Sequence, residues 1–73
     1  MQTKTIGQRI RYLRVRNSMT QKTLAEILYV SESTISGWER DRVEPSILFI
    51  VKLSTLFHAS LNYLIIGNEK ITP

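Results

Sequence analysis

A basic chain of 73 residues, with a net charge of +4 and no cysteine, has room for one small domain without disulfides. Its longest apolar run, Ile47 to Val51, is far shorter than the ~20 residues that span a bilayer, and no apolar leader follows the basic N-terminal segment. We therefore expect no membrane span and a cytoplasmic location.

Five segments have apolar residues at helical spacing, and each follows a threonine or serine that can cap a helix. The predicted helices are 6–16, 21–28, 32–39, 47–57 and 61–66, and the capping residues are Thr5, Thr20, Ser31, Ser46 and Ser60. No strand pattern accompanies them, so the sequence predicts an all-α, compact five-helix fold. Gly67 is suited to close the last helix. The predicted domain is 1–67, followed by a polar, flexible C-terminal tail at 68–73.

The second and third helices together have the pattern of a helix-turn-helix. Leu24, Ala25 and Leu28 share one face of the second helix, where the small Ala25 permits a steep helix crossing. In the third helix Ile35 and Trp38 face inward, which predicts a core role for Trp38 rather than a stacking role. The outward face, whose short polar side chains fit a DNA major groove, consists of Glu32, Ser33, Ser36 and Gly37.

Positive charge is concentrated near the N-terminus. Residues 1–22 contain six lysines and arginines and no carboxylate, whereas residues 23–73 contain four cations and six anions. Because the basic segment adjoins the first helix of the motif, we expect it to lie near DNA phosphates. The alternative is an ordinary solvated helix face.

Several short motifs, none of them specific alone, occur together between residues 6 and 67. They are Ile6-Gly-Gln-Arg-Ile-Arg-Tyr-Leu-Arg14, Met19-Thr-Gln21, Leu24-Ala-Glu26, Val30-Ser31, Thr34-Ile-Ser36, Trp38-Glu-Arg40, Glu44-Pro-Ser46 and Ser60-Leu61. In this combination the chain resembles the phage-repressor-like helix-turn-helix family, also called the xenobiotic-response-element or Cro/lambda-repressor type. The resemblance implies a five-helix lambda-repressor-like domain that binds double-stranded operator DNA as a homodimer and regulates transcription, with repression as the expected outcome.

The resemblance also implies roles for individual residues. It assigns base contacts to Glu32, Ser33, Ser36 and Gly37 on the recognition helix. It assigns phosphate contacts to Thr20, Gln21, Lys22, Thr34, Arg40 and Arg42. Gln21 is also expected to brace the recognition helix, and Arg14 and Glu39 are expected to form an internal salt bridge.

Three residues depart from the family pattern. Glu32 brings a carboxylate where glutamine, arginine or lysine is common; it either accepts a hydrogen bond from a cytosine amino group or only complements the helix dipole. Gly37 removes a side chain where the family often has a long polar one, which indicates close approach of the backbone to DNA. Tyr29 replaces the usual turn glycine and is strained if its backbone is left-handed.

The fourth helix carries more apolar residues than one core-facing stripe requires. The residues predicted to face the core are Ile47, Ile50, Leu53 and Phe57. An outward apolar patch near the last helix is typical of a two-fold dimer contact. The residues predicted to form this dimer interface are Leu48, Phe49, Leu56, Tyr63 and Ile66. The alternative is a helix covered by the C-terminal tail.

Catalysis finds little support in the sequence. His58 is the single histidine, and no cysteine or patterned carboxylate pair accompanies it. We therefore predict no enzyme activity, metal, cofactor or small-molecule ligand. Two other functions stay open: an antitoxin-like or recruitment module that uses the fold mainly for protein–protein interaction, and the DNA-binding head of a longer regulator.

Overall fold

The structure is a computed structural model that describes residues 3–67. Within this range it contains no strand and five helices, which are α1 (Ile6–Arg16), α2 (Gln21–Leu28), α3 (Glu32–Glu39), α4 (Ile47–Phe57) and α5 (Leu61–Ile66). The predicted all-α class and helix bounds are confirmed. The predicted tail at 68–73 lies outside the described residues. No helix in the described range is long and apolar enough to cross a membrane.

Side-chain caps begin most of the helices, as the hydroxyl positions predicted. In each case the cap hydroxyl oxygen accepts a hydrogen bond from a backbone N–H three residues later. The acceptor and donor pairs are Thr5 and Gln8, Thr20 and Thr23, Ser31 and Thr34, and Ser60 and Tyr63. Ser46 is the N-cap residue of α4, as predicted, but its side chain makes no cap hydrogen bond. Gly67 closes α5 at a φ of 87°, in the left-handed region that glycine adopts without strain.

The core lies between helices that are mostly not neighbours along the chain. Helix α3 packs against α1 and α2, while α5 packs against α1 and α4. The fully buried side chains are Ile10, Leu13, Leu24, Ile35, Leu53 and Leu64. Ala25, Leu28 and Trp38 are also buried, so the predicted inward faces of α2 and α3 are confirmed.

The prediction for α4 is partly wrong. Ile50, Leu53 and Phe57 are buried as expected, but Ile47 is 67% exposed, because the first turn of α4 extends past the core. Phe49, predicted to face outward, is half-buried instead. Its ring packs against Trp38 with centroids 5.2 Å apart, an aromatic contact that a helical periodicity in α4 alone does not reveal.

The predicted dimer patch is only partly present on the surface. Tyr63 is buried, because α5 turns this residue and Leu64 toward the core, so Tyr63 cannot contact a second chain. Leu48 and Ile66 are exposed, whereas Leu56 is half-buried. The five predicted residues therefore do not form one continuous patch on the surface of a single chain, and the dimer contact stays a prediction.

The turn between α2 and α3 depends on a left-handed residue. Tyr29 ends α2 with a φ of 58°, and Val30 N donates to Ala25 O at 3.0 Å to close the turn. The Tyr29 side chain is 94% exposed, so no packing offsets the cost of about 1–2 kcal/mol of that backbone conformation. The turn thus keeps the shape that a glycine would give it, with an exposed aromatic side chain added.

Candidate nucleic-acid interface

The outward face of α3 carries the residues predicted to read bases. Burial of Ile35 and Trp38, three positions apart, fixes which side of α3 faces solvent. Glu32 and Ser33 are exposed, while Ser36 and Gly37 are partly exposed. A Cβ added at Gly37 would meet no atom within 4 Å, so packing within this chain does not require a glycine there. The structure therefore brings all four residues to one accessible face.

Three hydroxyls at the start of α3 form a local network. Ser31 Oγ accepts from Thr34 N at 3.1 Å and lies 3.0 Å from Ser33 Oγ and 2.8 Å from Thr34 Oγ1. A hydroxyl held by two neighbours loses rotational freedom before any ligand arrives. The network preorganises Ser33 and Thr34 at the exposed beginning of the recognition helix.

Glu32 presents its carboxylate in the first turn of α3. Its side chain is exposed, and among residues 3–67 the structure gives it no ion pair. A carboxylate in this position complements the positive end of the helix dipole. It remains available to accept a hydrogen bond from outside the chain.

A bidentate ion pair fixes the other end of α3. Arg14 donates from Nε to Glu39 Oε2 at 2.6 Å and from Nη2 to Glu39 Oε1 at 3.1 Å. Arg14 Nη1 also donates to Met19 O at 2.8 Å, and Gln21 Nε2 donates to Glu39 Oε1 at 3.0 Å. The residues that the sequence paired therefore lie in contact. Gln21, at the start of α2, braces the recognition helix through Glu39.

The turn after α3 contains a feature that the sequence analysis missed. Asp41 Oδ2 accepts from Thr5 Oγ1 at 2.7 Å, and Asp41 Oδ1 accepts from Gly7 N at 3.1 Å. Gly7 permits this approach, since a Cβ there would clash with the carbonyl oxygen of Trp38 and lie 2.7 Å from Asp41 Oδ1. Aspartate is common at left-handed turn positions, so its place between the end of α3 and Pro45 could have indicated this turn from the sequence.

The predicted phosphate contacts occupy accessible positions. Thr20 caps α2, Lys22 is exposed in the first turn of α2, and Arg40 and Arg42 are exposed beyond α3. Thr34 is half-buried, with its hydroxyl engaged by Ser31. Within residues 3–67 neither Arg40 nor Arg42 forms an ion pair, so both guanidinium groups are available to an anion.

The N-terminal cations do not form one continuous DNA-facing set. Arg9 is only 4% exposed, and it donates to the carbonyls of Leu64 at 2.8 Å and Ile65 at 3.2 Å. It thus stabilises the carbonyl end of α5, which carries partial negative charge. Arg14 forms a salt bridge with Glu39. The expectation that the basic segment lies near phosphates is therefore wrong for Arg9, whereas Arg14 forms the salt bridge that was predicted for it.

Among the described residues no group of three or more histidine, cysteine or carboxylate side chains could hold a metal ion. His58 ends α4 with a left-handed φ of 54° and is exposed. Its position is that of a helix-terminal residue.

The described residues thus form a helix-turn-helix. Its second helix has a short polar outer face, is held by Arg14 and Gln21, and is followed by two arginines without an ion pair in this range. These features are typical of a DNA-binding domain. The chain matches the helix-turn-helix family model over residues 10–64. It therefore belongs to the helix-turn-helix family, in the phage-repressor-like class.

Relatives and solved structures agree with this membership. The chain is 39% identical over 75 residues to the HTH-type transcriptional regulator DicA of Escherichia coli (strain K12), covering all of this chain and 56% of DicA. It is 35% identical over 68 residues to repressor protein C2 of Salmonella phage P22, covering 93% of this chain and 32% of that protein. The chain thus spans about half or less of these relatives.

Two solved structures of the P22 c2 repressor share the fold. A crystal structure of that repressor with the synthetic operator 9T superposes with a TM-score of 0.82 at 35% identity, covering 90% of this chain and all of that one. A solution structure of its DNA-binding domain gives a TM-score of 0.81 at 34% identity, covering all of this chain and 96% of that one. The predicted family and fold are confirmed.

Proposed function

We propose that this chain is a sequence-specific double-stranded DNA-binding domain that represses transcription by inserting α3 into the major groove of an operator. The observation that carries the proposal is the polar outward face of α3, held in place by Arg14, Gln21 and Glu39. A braced helix keeps its side chains in one register against base edges. The structural likeness to a repressor bound to a synthetic operator supports this assignment.

The two ends of α3 divide the work of binding. Glu32, Ser33, Ser36 and Gly37 face the bases, whereas Arg40 and Arg42 contribute salt-dependent phosphate contacts. Thr20, Gln21, Lys22 and Thr34 add contacts near the start of each motif helix, where free backbone N–H groups favour an anion.

The proposed complex contains two copies of the chain. Leu61 and Ile65 lie four residues apart on α5 and are exposed, and Ile66 next to them is more exposed still. Apolar residues clustered at one end of a small domain are typical of a self-complementary contact. A two-fold pair would place its recognition helices roughly 34 Å apart, matching half-sites one DNA turn apart.

The test begins with selection of binding sites from a random duplex pool, followed by affinity measurements for the enriched site and scrambled DNA across a salt series. We expect an inverted repeat bound roughly a thousandfold more tightly than scrambled DNA. The Arg42→Ala variant should weaken binding to every sequence and reduce the salt slope by about one. Lys52→Ala is the matched control, because it also removes one cation. Lys52 lies on α4 over the Phe49 ring and is not among the proposed phosphate contacts. Its salt slope should stay unchanged.

Protein recruitment is the second candidate function, favoured by one apolar groove. This groove, of about 410 Å³, lies between the end of α2 and the outer face of α4, and its lining residues are Ile27, Leu28, Tyr29, Val51, Lys52, Thr55 and Leu56. Lys52 is the single charged residue in its lining, so the occupant that fits is an apolar peptide segment bearing a carboxylate. Weak, purely electrostatic binding that is equal for all duplexes and falls as salt rises would favour this function over sequence reading.

A further inference from the structure

We propose that Asp41 is a positioning residue for DNA binding, holding the turn that carries Arg40 and Arg42 against the N-terminus of α1. The inference rests on the proposed DNA-binding function. Asp41 is acidic and lies between Arg40 and Arg42, the two proposed phosphate contacts, so its charge alone would weaken DNA binding.

The Asp41 carboxylate joins two helices that are distant in sequence. Each of its oxygens accepts one hydrogen bond, from the Thr5 hydroxyl at 2.7 Å and from Gly7 N at 3.1 Å. Helix α1 has no acidic residue in its own first turn, so Asp41 supplies the negative charge that complements this helix end. The end of α3 is thereby tied to the beginning of α1.

The backbone of the turn is fixed at the same point. Asp41 has a φ of 60°, its N–H donates to Trp38 O at 3.0 Å, and Arg42 N donates to Gly37 O at 3.0 Å. Aspartate enters the left-handed region more readily than most residues, but it still needs contacts that hold it there. The two side-chain bonds and the tight contact at Gly7 do so, and they set the direction in which the flanking arginines leave α3.

A purely electrostatic role and a positioning role of Asp41 predict opposite changes in DNA affinity when Asp41 is replaced. An anion close to phosphates repels DNA, so its removal should strengthen binding if electrostatics alone matters. If Asp41 positions Arg40 and Arg42, removal should weaken binding although the protein becomes more positive. The sign of the change therefore separates the two roles.

The experiment compares Asp41→Gly and Asp41→Asn with the wild type on the operator selected by the wild type, by fluorescence anisotropy across a salt series. Glycine keeps the left-handed backbone without a carboxylate, and asparagine keeps one oxygen for Gly7 N. The matched control is Glu44→Gln, which removes one negative charge from the same exposed loop. Circular dichroism confirms that each variant is folded at the temperature used.

We expect Asp41→Gly to bind roughly tenfold more weakly with a salt slope lower by about one, Asp41→Asn to lie between it and wild type, and Glu44→Gln to bind slightly more tightly. Equal or tighter binding by folded Asp41→Gly, or weaker binding with an unchanged slope, would overturn the proposal. If Asp41→Gly does not fold, Asp41→Asn decides by the same two criteria. A wild type with no preferred site would instead refute the DNA-reading function itself.

Discussion

Arg14 and Glu39 form two parallel hydrogen bonds that join α1 to the last residue of the recognition helix. The two side chains are only 12% and 4% exposed. Since Glu39 also accepts from Gln21, one carboxylate fixes α3 relative to both α1 and α2. The orientation of the outward face of α3 therefore depends on residues that lie behind it.

Replacing Arg14 with methionine should destabilise the fold by about 3 kcal/mol, because it leaves the nearly buried Glu39 carboxylate without its counter-ion. The double variant Arg14→Met with Glu39→Met should recover much of that loss, since an apolar pair of similar size removes the uncompensated charge. Urea unfolding of the two variants and the wild type measures both effects. Equal stability of the single and double variants would contradict the account.

Gly7 and Gly37 both lie inside helices but should respond oppositely to alanine. A Cβ at residue 7 would clash with the Trp38 carbonyl, so Gly7→Ala should cost about 1–3 kcal/mol. A Cβ at residue 37 meets nothing within 4 Å, so Gly37→Ala should stabilise α3 by about 0.5–1 kcal/mol. Thermal unfolding of both variants tests the pair, and a stabilised Gly7→Ala would refute the predicted clash.

If the α3 backbone approaches DNA closely at Gly37, the same Gly37→Ala variant should gain stability and lose operator affinity. The two quantities would then move in opposite directions, which a simple folding effect cannot produce. Anisotropy titration of the folded variant measures the affinity. Unchanged affinity would mean that Gly37 is not a point of close approach.

Tyr63 should make stability fall at high pH. Burial raises the pKa of its phenol above the ordinary value of 10.0, with the Thr3 hydrogen bond acting in the opposite direction. Because the folded state holds this proton more tightly, the stability contribution is full below pH 10.0 and is lost as pH rises through the folded pKa. Melting temperatures from pH 9 to 11 should therefore fall less for Tyr63→Phe than for wild type, whereas Tyr29→Phe, at an exposed site, should follow wild type.

Local sequence signals are sufficient to predict the helices and the side of α3 that faces solvent. Capping hydroxyls and apolar spacing carry their information within one or two turns, so Thr5, Thr20, Ser31 and Ser60 were identified as caps correctly. The pairing of Arg14 with Glu39 joins distant positions and came from the family resemblance, which encodes tertiary contacts that periodicity cannot.

The errors arose where a residue's environment depends on another helix. The sequence groups Arg9 with the other cations of the basic segment, because its partners are two backbone carbonyls of α5, which side-chain chemistry does not reveal. Phe49 was placed outside because its contact with Trp38 crosses between helices. Asp41 has the same character, since its donors lie more than thirty positions earlier in the chain.

Glu32 offers the most direct test of base reading. A carboxylate accepts from the cytosine amino group, whereas a carboxamide pairs with adenine through N6 and N7, so Glu32→Gln should change the selected base at one position of each half-site from cytosine to adenine. Site selection with both proteins measures this, and the remaining positions of the operator act as an internal control because Ser33 and Ser36 are unchanged. The variant should also bind its own site with a similar or higher affinity, since it removes one anion from the interface. Identical selected sites for the two proteins would assign Glu32 to the helix dipole alone and leave base reading to the serines and Gly37.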